Sequence, residues 1–269
     1  DMPNHLSLIS VLKKLGYQTN FFYGGAPNFD NTNTFLAREK IDNFFSGDYY
    51  SKNGKVYWGD NDSILYNRAL AFNSQQNVSP RLDVFLTLST HGPFDIPLMD
   101  NIISDLKKNK SKHLSPKQLE YFSKHQSESA SYWYSDQQIK NYIDNYKQDP
   151  NFNNTIFIIT GDHSLLIKTK NSDLKKYHVP LLIYSPLLKR SKKMASINSH
   201  YNVTPSLMSL LSEKYQLNTP NVVSWIGGDL DTSSVLESKT IIPMMNIGRR
   251  NIDFIYGKHA LINNHVYEF

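Results

Sequence analysis

Apolar residues along the chain recur at two spacings, and these spacings predict helices and strands in turn. Leu6, Ile9 and Leu12 lie at helical spacing and predict a helix over residues 5–15 that ends at Gly16. By the same criterion, further helices are predicted over residues 33–45, 62–72, 116–146 and 203–211, the one at 62 with Asp62 as its N-cap. Runs rich in β-branched and aromatic residues predict strands over residues 18–23, 82–88, 155–160 and 179–184.

The order of these elements indicates the fold class. Strands alternate with helices over the first 215 residues, a pattern typical of βαβ units and of a mostly parallel central sheet with helices on both faces. Short strand-like runs at 253–256, 260–262 and 265–269, with a turn at Asn263-Asn264, predict a small antiparallel C-terminal addition. We therefore predict an α/β fold, with a core over residues 1–215 and an extension of the same domain over residues 216–269.

Composition narrows the possible partners. The 269 residues include 29 basic and 24 acidic side chains, and the net charge of +5 suits anionic substrates or an anionic membrane surface. Lysines and arginines occur in short scattered clusters, so no nucleic-acid partner is expected. The absence of cysteine excludes disulfides, thiolate zinc sites and a cysteine nucleophile. The chain begins at Asp1 without an initiating methionine or the regions of a signal peptide, so we expect a fragment or a processed piece.

The most informative motif follows the strand predicted at 155–160. Gly161 ends the apolar run, and Asp162 and His163 come directly after it. Ligands of open α/β sheets bind outside the carboxyl ends of the strands, and an oxygen and a nitrogen ligand together suit a divalent metal. The alternative is that Asp162 caps a helix starting near Ser164 and that His163 is a surface residue.

Three further histidines are candidates. His91 lies in the turn Thr90-His91-Gly92-Pro93 that ends the strand at 82–88. If that strand and the one at 155–160 are parallel in one sheet, His91 could contact an anionic substrate held at Asp162 and His163; the alternative is an ordinary loop residue. His178 and His200 are candidates for further ligands or phosphate contacts, but we favour for both the role of a capping residue or of a buried, hydrogen-bonded histidine.

Taken in order, a series of short segments gives the chain a resemblance to a known family. Each segment alone is unspecific, whereas the ordered set is specific. The segments are Leu12–Tyr17, Tyr23–Gly25, Phe29–Asn31, Trp58–Asp62, Leu86–Phe94, Tyr134–Asp136, Ile159–His163, Val179–Tyr184 and Ser199–Leu207. The chain resembles the lipoteichoic acid synthase-like, phosphoglycerol-transferring branch of the sulfatase and alkaline phosphatase superfamily.

The resemblance implies a function and a set of site residues. It implies a metal-dependent transferase or hydrolase of phosphate esters, acting outside the cytoplasm at a bacterial membrane on an anionic lipid or glycan head group, and tethered by a membrane region preceding this chain. The metal is expected to be manganese, with zinc, calcium and magnesium as alternatives, and Asp162 and His163 map onto metal ligands. His91 maps onto the substrate-contacting histidine.

Two departures from the family pattern qualify the expected chemistry. The family's nucleophilic Thr and metal-binding Glu lie upstream of the segment that matches Leu6–Leu15, so we assign no catalytic nucleophile and expect it upstream of Asp1. Where related glycerol-phosphate polymerases carry Trp-Asn-Arg, this chain has Asp30-Asn31-Thr32, so the arginine that would clamp phosphate is absent. A sulfatase, and a non-catalytic domain that binds glycans or partner proteins, remain the alternative functions.

Overall fold

The structure is a computed structural model that describes residues 5–47, 50–52, 55–76, 79–164, 175, 177–244, 252–262 and 264–269. It contains seven α-helices in these residues: α1 Leu8–Lys14, α2 Thr32–Arg38, α3 Asp62–Gln75, α4 Met99–Asp105, α5 Pro116–Lys124, α6 Gln126–Tyr146 and α7 Val203–Tyr215. The described strands are β1 Gln18–Tyr23, β2 Asn43–Ser46, β3 Tyr50–Lys52, β4 Lys55–Tyr57, β5 Arg81–Leu86, β6 Phe157–Thr160, β7 Leu181–Tyr184, β8 Ser238–Pro243, β9 Phe254–Gly257, β10 His259–Ile262 and β11 His265–Glu268.

The chain forms two compact units. One comprises residues Ile9–Phe152, and the other comprises the segment up to Leu8 together with Asn153–Phe269. The predicted boundary at residue 215 between a core and an extension stays a prediction.

A parallel sheet flanked by helices organises the unit Ile9–Phe152, which confirms the predicted fold class. Its strand order is β2-β1-β5, with Phe22 of β1 opposite Phe45 and Phe85 on the two neighbouring strands. The three rings stack at centroid distances of 4.9 and 5.0 Å, and Phe22 is fully buried. Burial of such a ring contributes about 1.5–3 kcal/mol, so this aromatic layer is a main source of the unit's stability.

Polar residues are also buried in this sheet, and hydrogen bonds between strands compensate for their burial. Asn20 of β1 donates to Asp83 of β5 at 2.7 Å and accepts from Asn43 of β2 at 2.8 Å. Thr19 donates to Asp42 through both its backbone amide and its hydroxyl. Because a buried polar group without a partner is destabilising, these pairs favour one strand register over the alternatives.

The predicted helix over residues 33–45 was wrong in its second half. Helix α2 ends at Arg38, Lys40 has a left-handed backbone with φ of 57°, and Asn43–Ser46 form β2. Pairing with β1 overrides the helical pattern there, because it completes the aromatic layer.

The other unit contains antiparallel sheets. Strands β6 and β7 pair antiparallel to each other, and β8 to β11 form a four-stranded antiparallel sheet in the order β11-β10-β9-β8. Ile242, Ile252, Ile255 and Ala260 form the core of the larger sheet. The predicted C-terminal antiparallel addition is confirmed, with Ile262 opposite His265 beside the predicted turn; Asn263 lies outside the described residues.

The length and apolar character of every helix among the described residues fall short of what a membrane span requires.

Candidate active site

Asp162 and His163 lie at the carboxyl end of β6, as the sequence predicts. Their side chains are 70% and 67% exposed, and the Oδ2 atom of Asp162 lies 3.6 Å from the Nε2 atom of His163. The Oδ1 atom of Asp162 accepts a hydrogen bond of 2.8 Å from the backbone amide of His163. One carboxylate oxygen is thus fixed by the backbone, while the other faces the imidazole.

The imidazole of His163 is oriented as in a typical metal-binding histidine. Its Nδ1 atom lies 2.9 Å from the carbonyl oxygen of Ser164, and because a carbonyl only accepts, Nδ1 carries the proton. The lone pair is then on Nε2, and a backbone carbonyl is a usual orienting partner for a metal-ligating histidine. Two ligands at about 2.0–2.2 Å from one ion can be at most about 4.2–4.4 Å apart, so the 3.6 Å separation fits a shared ion.

These two residues are not a complete metal site. Within the part of the chain that the structure describes, no group of three or more His, Cys, Asp or Glu side chains is arranged to hold a metal ion. The alternative of a helix starting near Ser164 concerns residues 165–174, which lie outside the described ones. The assignment of Asp162 and His163 as ligands therefore stays a prediction.

His200 contacts the same strand end. It lies in a 3₁₀ turn that precedes α7, where Ser199 and Asn202 form a reciprocal capping box. Its Nε2 atom lies 2.9 Å from the carbonyl oxygen of Gly161 and 3.3 Å from the hydroxyl of Thr160. His200 is thus hydrogen-bonded to the backbone just before Asp162, as we favoured from sequence, but its side chain is exposed rather than buried. His178 is exposed on the segment before β7.

His91 lies in the other compact unit, in a tight turn after β5. The turn is closed by two backbone hydrogen bonds, from His91 to Leu88 at 2.9 Å and from Phe94 to His91 at 2.8 Å. The Nδ1 atom of His91 lies 2.6 Å from the carbonyl oxygen of Gly92, so Nδ1 carries the proton and Nε2 remains for a ligand. His91 is exposed, as a substrate contact requires, and this role stays a prediction.

A buried aspartate holds the His91 turn in place. Asp62 is 1% exposed, and its Oδ1 atom accepts the backbone amides of Leu88 at 3.2 Å and Ser89 at 3.0 Å. Its own amide donates to the Ser89 hydroxyl at 3.0 Å, and the hydroxyl of Ser135 on α6 donates to Oδ2. Asp62 therefore ties the strand end to helices α3 and α6.

The predicted helix cap at Asp62 was wrong by one residue. Asn61 is the N-cap of α3, and its Oδ1 atom accepts the amides of Ser63 and Ile64. The hydroxyl of Tyr134 donates to the same oxygen at 2.7 Å. Burial raises the pKa of Tyr134, which keeps that hydroxyl protonated as a donor. Asp62 is the first helical residue, so its carboxylate is available for the His91 turn.

Three loops cross at Gly24, just beyond the end of β1. The amide of Asp60 donates to the carbonyl of Gly24 at 2.7 Å, and Gly25 and Gly59 form an isolated antiparallel bridge. A Cβ atom on Gly47 or on Gly59 would lie 2.2 or 2.0 Å from the Gly24 oxygen, which no side chain allows. We call this arrangement the glycine crossing. Only glycine permits so close a backbone approach.

The glycine crossing holds the backbone next to Trp58 in place. The indole is 41% exposed, and its ring centroid lies 5.7 Å from that of His91 at an interplanar angle of 51°. A small pocket next to these rings has a mixed lining of apolar and polar residues, namely Trp58, Leu88, Pro93, Asp60, Asn61, Ser89, His91 and Asp95. Sequence reasoning missed Trp58 and Asp62 as site residues, although both lie in a segment of the family resemblance.

Gly59→Ala is expected to destabilise the glycine crossing and to displace Trp58. Gly59 has φ of 151°, and the added methyl group would collide with the Gly24 carbonyl, so the loop must move. We expect a lower melting temperature in calorimetry and a change in the fluorescence of Trp58.

Gly228→Ala is the matched control, because a Cβ there meets no atom within 4 Å. If both variants melt at the wild-type temperature, the glycine crossing has no stabilising role.

Comparison with known proteins agrees with the residue-level resemblance. The family model described as Sulfatase matches residues 1–213. Lipoteichoic acid synthase 2 of Bacillus subtilis is 24% identical over 97% of this chain, and the lipoteichoic acid synthase of Staphylococcus aureus is 23% identical over 97% of this chain. The chain spans 39% of the length of each of these relatives.

Solved structures show the same fold. The lipoteichoic acid synthase of Listeria monocytogenes superposes with a TM-score of 0.70 at 16% identity, covering 98% of this chain and 65% of that one. A Vibrio parahaemolyticus protein of the alkaline phosphatase superfamily gives a TM-score of 0.66 at 23% identity, covering 97% of this chain and 59% of that one. The family model covers most of the chain, and these structures share its fold: the chain belongs to the sulfatase family.

Proposed function

We propose that this chain is the metal-binding part of an enzyme that transfers or hydrolyses phosphate esters, with phosphoglycerol or a related head group as the transferred group. The observation that carries the proposal is the pairing of Asp162 Oδ2 and His163 Nε2 at the end of β6. The names of the lipoteichoic acid synthases to which the chain is similar support the choice of phosphate over sulfate.

The proposed ion is manganese, because the ligand pair combines a carboxylate oxygen with an imidazole nitrogen. This combination favours manganese or zinc over magnesium or calcium, which prefer oxygen ligands alone. When bound, such an ion supplies Lewis acidity at a phosphate oxygen.

The residues of this chain have separate tasks in the proposed reaction. The backbone amide of His163 and the Ser164 carbonyl orient Asp162 and His163. With its Nδ1 proton donated to the Gly92 carbonyl, His91 presents Nε2 to the substrate, where its protonated form donates to a phosphate oxygen. Asp62 acts through backbone hydrogen bonds and is a positioning residue for the His91 turn.

We place the reaction at the outer face of a bacterial membrane, on an anionic lipid or glycan head group. The lipoteichoic acid synthases among the relatives support this placement.

Removal of metal from the full-length protein tests the proposal. After treatment with EDTA, hydrolysis of bis(p-nitrophenyl) phosphate is expected to fall to background, and Mn²⁺ is expected to restore it better than Mg²⁺ or Ca²⁺. Elemental analysis of the untreated protein should find the ion.

The alternatives predict other outcomes of this assay. Faster turnover of p-nitrophenyl sulfate than of the phosphodiester would make the protein a sulfatase. A full-length protein that hydrolyses neither ester, with or without Mn²⁺, would favour a non-catalytic binding domain.

A further inference from the structure

The compact unit that contains Asp162 and His163 also holds a cavity of about 300 Å³ that neither of these residues lines. Three segments enclose it: the turn at residues 197–202, the loop at residues 229–232 and the first half of β8. All the residues that line it are described by the structure. Sites for small organic molecules occupy about 300–1,000 Å³, so this cavity has room for one small ring.

The walls of the cavity are held in place by Asp231, whose side chain is 9% exposed. Its Oδ1 atom accepts the Lys239 ammonium at 2.8 Å and the backbone amide of Ser233 at 3.0 Å. Its backbone amide donates to the side-chain oxygen of Asn198 at 2.8 Å, and its carbonyl accepts the Asn198 side-chain amide at 3.1 Å. Because one residue ties all three segments together, the cavity is formed before a ligand arrives, and such preorganisation favours binding.

Three polar groups among the lining residues remain available to a ligand. The Oδ1 atom of Asp229 accepts the Ser209 hydroxyl at 2.8 Å, whereas no donor among the described residues bonds to its Oδ2 atom. The hydroxyls of Thr232 and Thr240 likewise make no hydrogen bond within the described part of the chain. A ligand in the cavity can therefore pair with one carboxylate oxygen and two hydroxyls.

The charge of the lining disfavours a phosphate or sulfate group. All the lining residues are described, Lys239 is the one cation among them, and Asp231 neutralises it. Asp229 is then left as an uncompensated negative charge, which repels an anion. Ile197 and Leu230 add apolar carbon atoms to the lining. A few polar groups beside apolar ones are the usual composition of a site for a small organic molecule.

We propose that this cavity binds an uncharged sugar unit. An ionised carboxylate only accepts, and its two oxygens offer about four positions, so the Asp229 carboxylate suits the donating hydroxyls of a sugar. The hydroxyls of Thr232 and Thr240 both donate and accept, as sugar hydroxyls do. The inference goes beyond the proposed function, because it assigns a site separate from Asp162 and His163 that needs neither metal nor phosphate.

The sugar site and the candidate metal site share one turn of the chain. Asn198 and Asn202 line the cavity, while His200 between them lies 2.9 Å from the carbonyl oxygen of Gly161, directly before Asp162. A bound sugar would therefore lie against the same turn that contacts the end of β6.

Saturation-transfer NMR on the metal-free, full-length protein tests the assignment with four probes. Methyl α-D-glucoside is the uncharged sugar, and glucose 6-phosphate adds a phosphate to the same ring. Tetrahydropyran keeps the ring without hydroxyl groups, and cyclohexylamine is a ring that carries only an ammonium. We expect the glucoside to bind with a Kd of about 1 mM and each of the other probes to bind at least about fivefold more weakly.

Two substitutions locate the bound sugar. Asp229→Asn is expected to weaken glucoside binding about 10-fold, because a charged acceptor is lost. Thr240→Val, which leaves the Ser209 contact intact, is expected to weaken it about 3- to 10-fold, because valine keeps the shape of threonine without the hydroxyl. Asp253→Asn is the matched control, since Asp253 is exposed in the same compact unit but does not line the cavity. Its Kd should stay within about twofold of the wild-type value.

Several results would overturn the assignment. Absence of glucoside signal in the wild type would do so, as would wild-type affinity in both Asp229→Asn and Thr240→Val. Tighter binding of glucose 6-phosphate would make the cavity an anion site, and tighter binding of cyclohexylamine an ammonium site. Because the measurement uses neither metal nor turnover, its failure is distinct from a failure of the proposed function, which the phosphodiester assay decides.

Discussion

Asp162→Ala in the full-length protein is expected to lower phosphodiester turnover about 10³-fold or more. The substitution removes the oxygen that lies 3.6 Å from His163 Nε2, and a metal's contribution of several kcal/mol to catalysis would be lost with the ion. His163→Ala is expected to have a comparable effect. Turnover is measured with bis(p-nitrophenyl) phosphate, and bound metal by elemental analysis of each purified variant.

Asp100→Ala and His113→Ala are the controls, since both remove exposed side chains of the same types on other parts of the surface. Neither is expected to change metal content or turnover. Wild-type turnover in Asp162→Ala would show that this carboxylate is not a ligand and would refute the proposed metal site. Metal retained with turnover lost would instead assign Asp162 a role in the chemistry alone.

Arg81→Leu is expected to destabilise the protein by about 3–5 kcal/mol. The guanidinium is 8% exposed and pairs with Asp83 at 3.1 Å and with Asp149 at 2.8 Å, whose side chains are 12% and 14% exposed. Removal of the cation leaves two nearly buried carboxylates without their main partner. Loss of one partner of a buried ion pair is more destabilising than replacement of the whole pair by apolar residues. Denaturation by urea, followed by far-ultraviolet circular dichroism, measures the loss.

The pH dependence of this loss is a second measurement. Burial alone raises the pKa of Asp149, but hydrogen bonds from Arg81 and from the Asn151 amide prevail and lower it. Because the pKa of Asp149 is lowered in the folded state, its ionised form stabilises the folded protein at pH values above the unfolded-state pKa of about 3.9. That contribution is lost as the pH falls through the folded-state pKa. In Arg81→Leu the Asp149 carboxylate has lost the guanidinium that lowers its pKa, so the gap between variant and wild type should narrow between about pH 7 and pH 3.

Lys124→Met is the control for the ion pair, because Lys124 and Glu120 are 65% and 66% exposed and solvent screens their attraction. Its unfolding midpoint should equal that of the wild type. A gap between Arg81→Leu and the wild type that stays constant with pH would mean that the lost stability comes from packing rather than from charge.

Apolar spacing in the sequence correctly predicted those helices and strands that are stabilised by their own apolar residues. Strands β1 and β5 and helices α1 and α3 follow from apolar spacing and were predicted close to their observed bounds. The single helix predicted over residues 116–146 is instead divided at His125 into α5 and α6. Strand β2 was missed because its Phe44 and Phe45 also continue a helical pattern. Only the register with β1, set by Asn20 and the stacked rings, decides between the two structures.

In the candidate site, too, contacts between neighbours in the chain could be predicted from the sequence, whereas contacts between distant residues could not. Asp162 and His163 are neighbours in the chain, so their proximity could be inferred from the sequence. The role of Asp62 depends on the amides of Leu88 and Ser89, 26 and 27 residues away, and nothing in the local pattern predicts that contact. Trp58 likewise depends on the approach of Gly59 to Gly24, which only the folded backbone brings about.

The glycine crossing has a consequence for how such a site can diverge between relatives. Because the loops around Gly24, Gly47 and Gly59 exclude one another's side chains, a change in the length or path of one loop would require matching changes in the other two. Residue 58 carries no such restriction, since its side chain takes no part in the glycine crossing. Exchange of that one side chain is therefore the simplest way for selection, or an engineer, to change the surface beside His91 without disturbing the three loops.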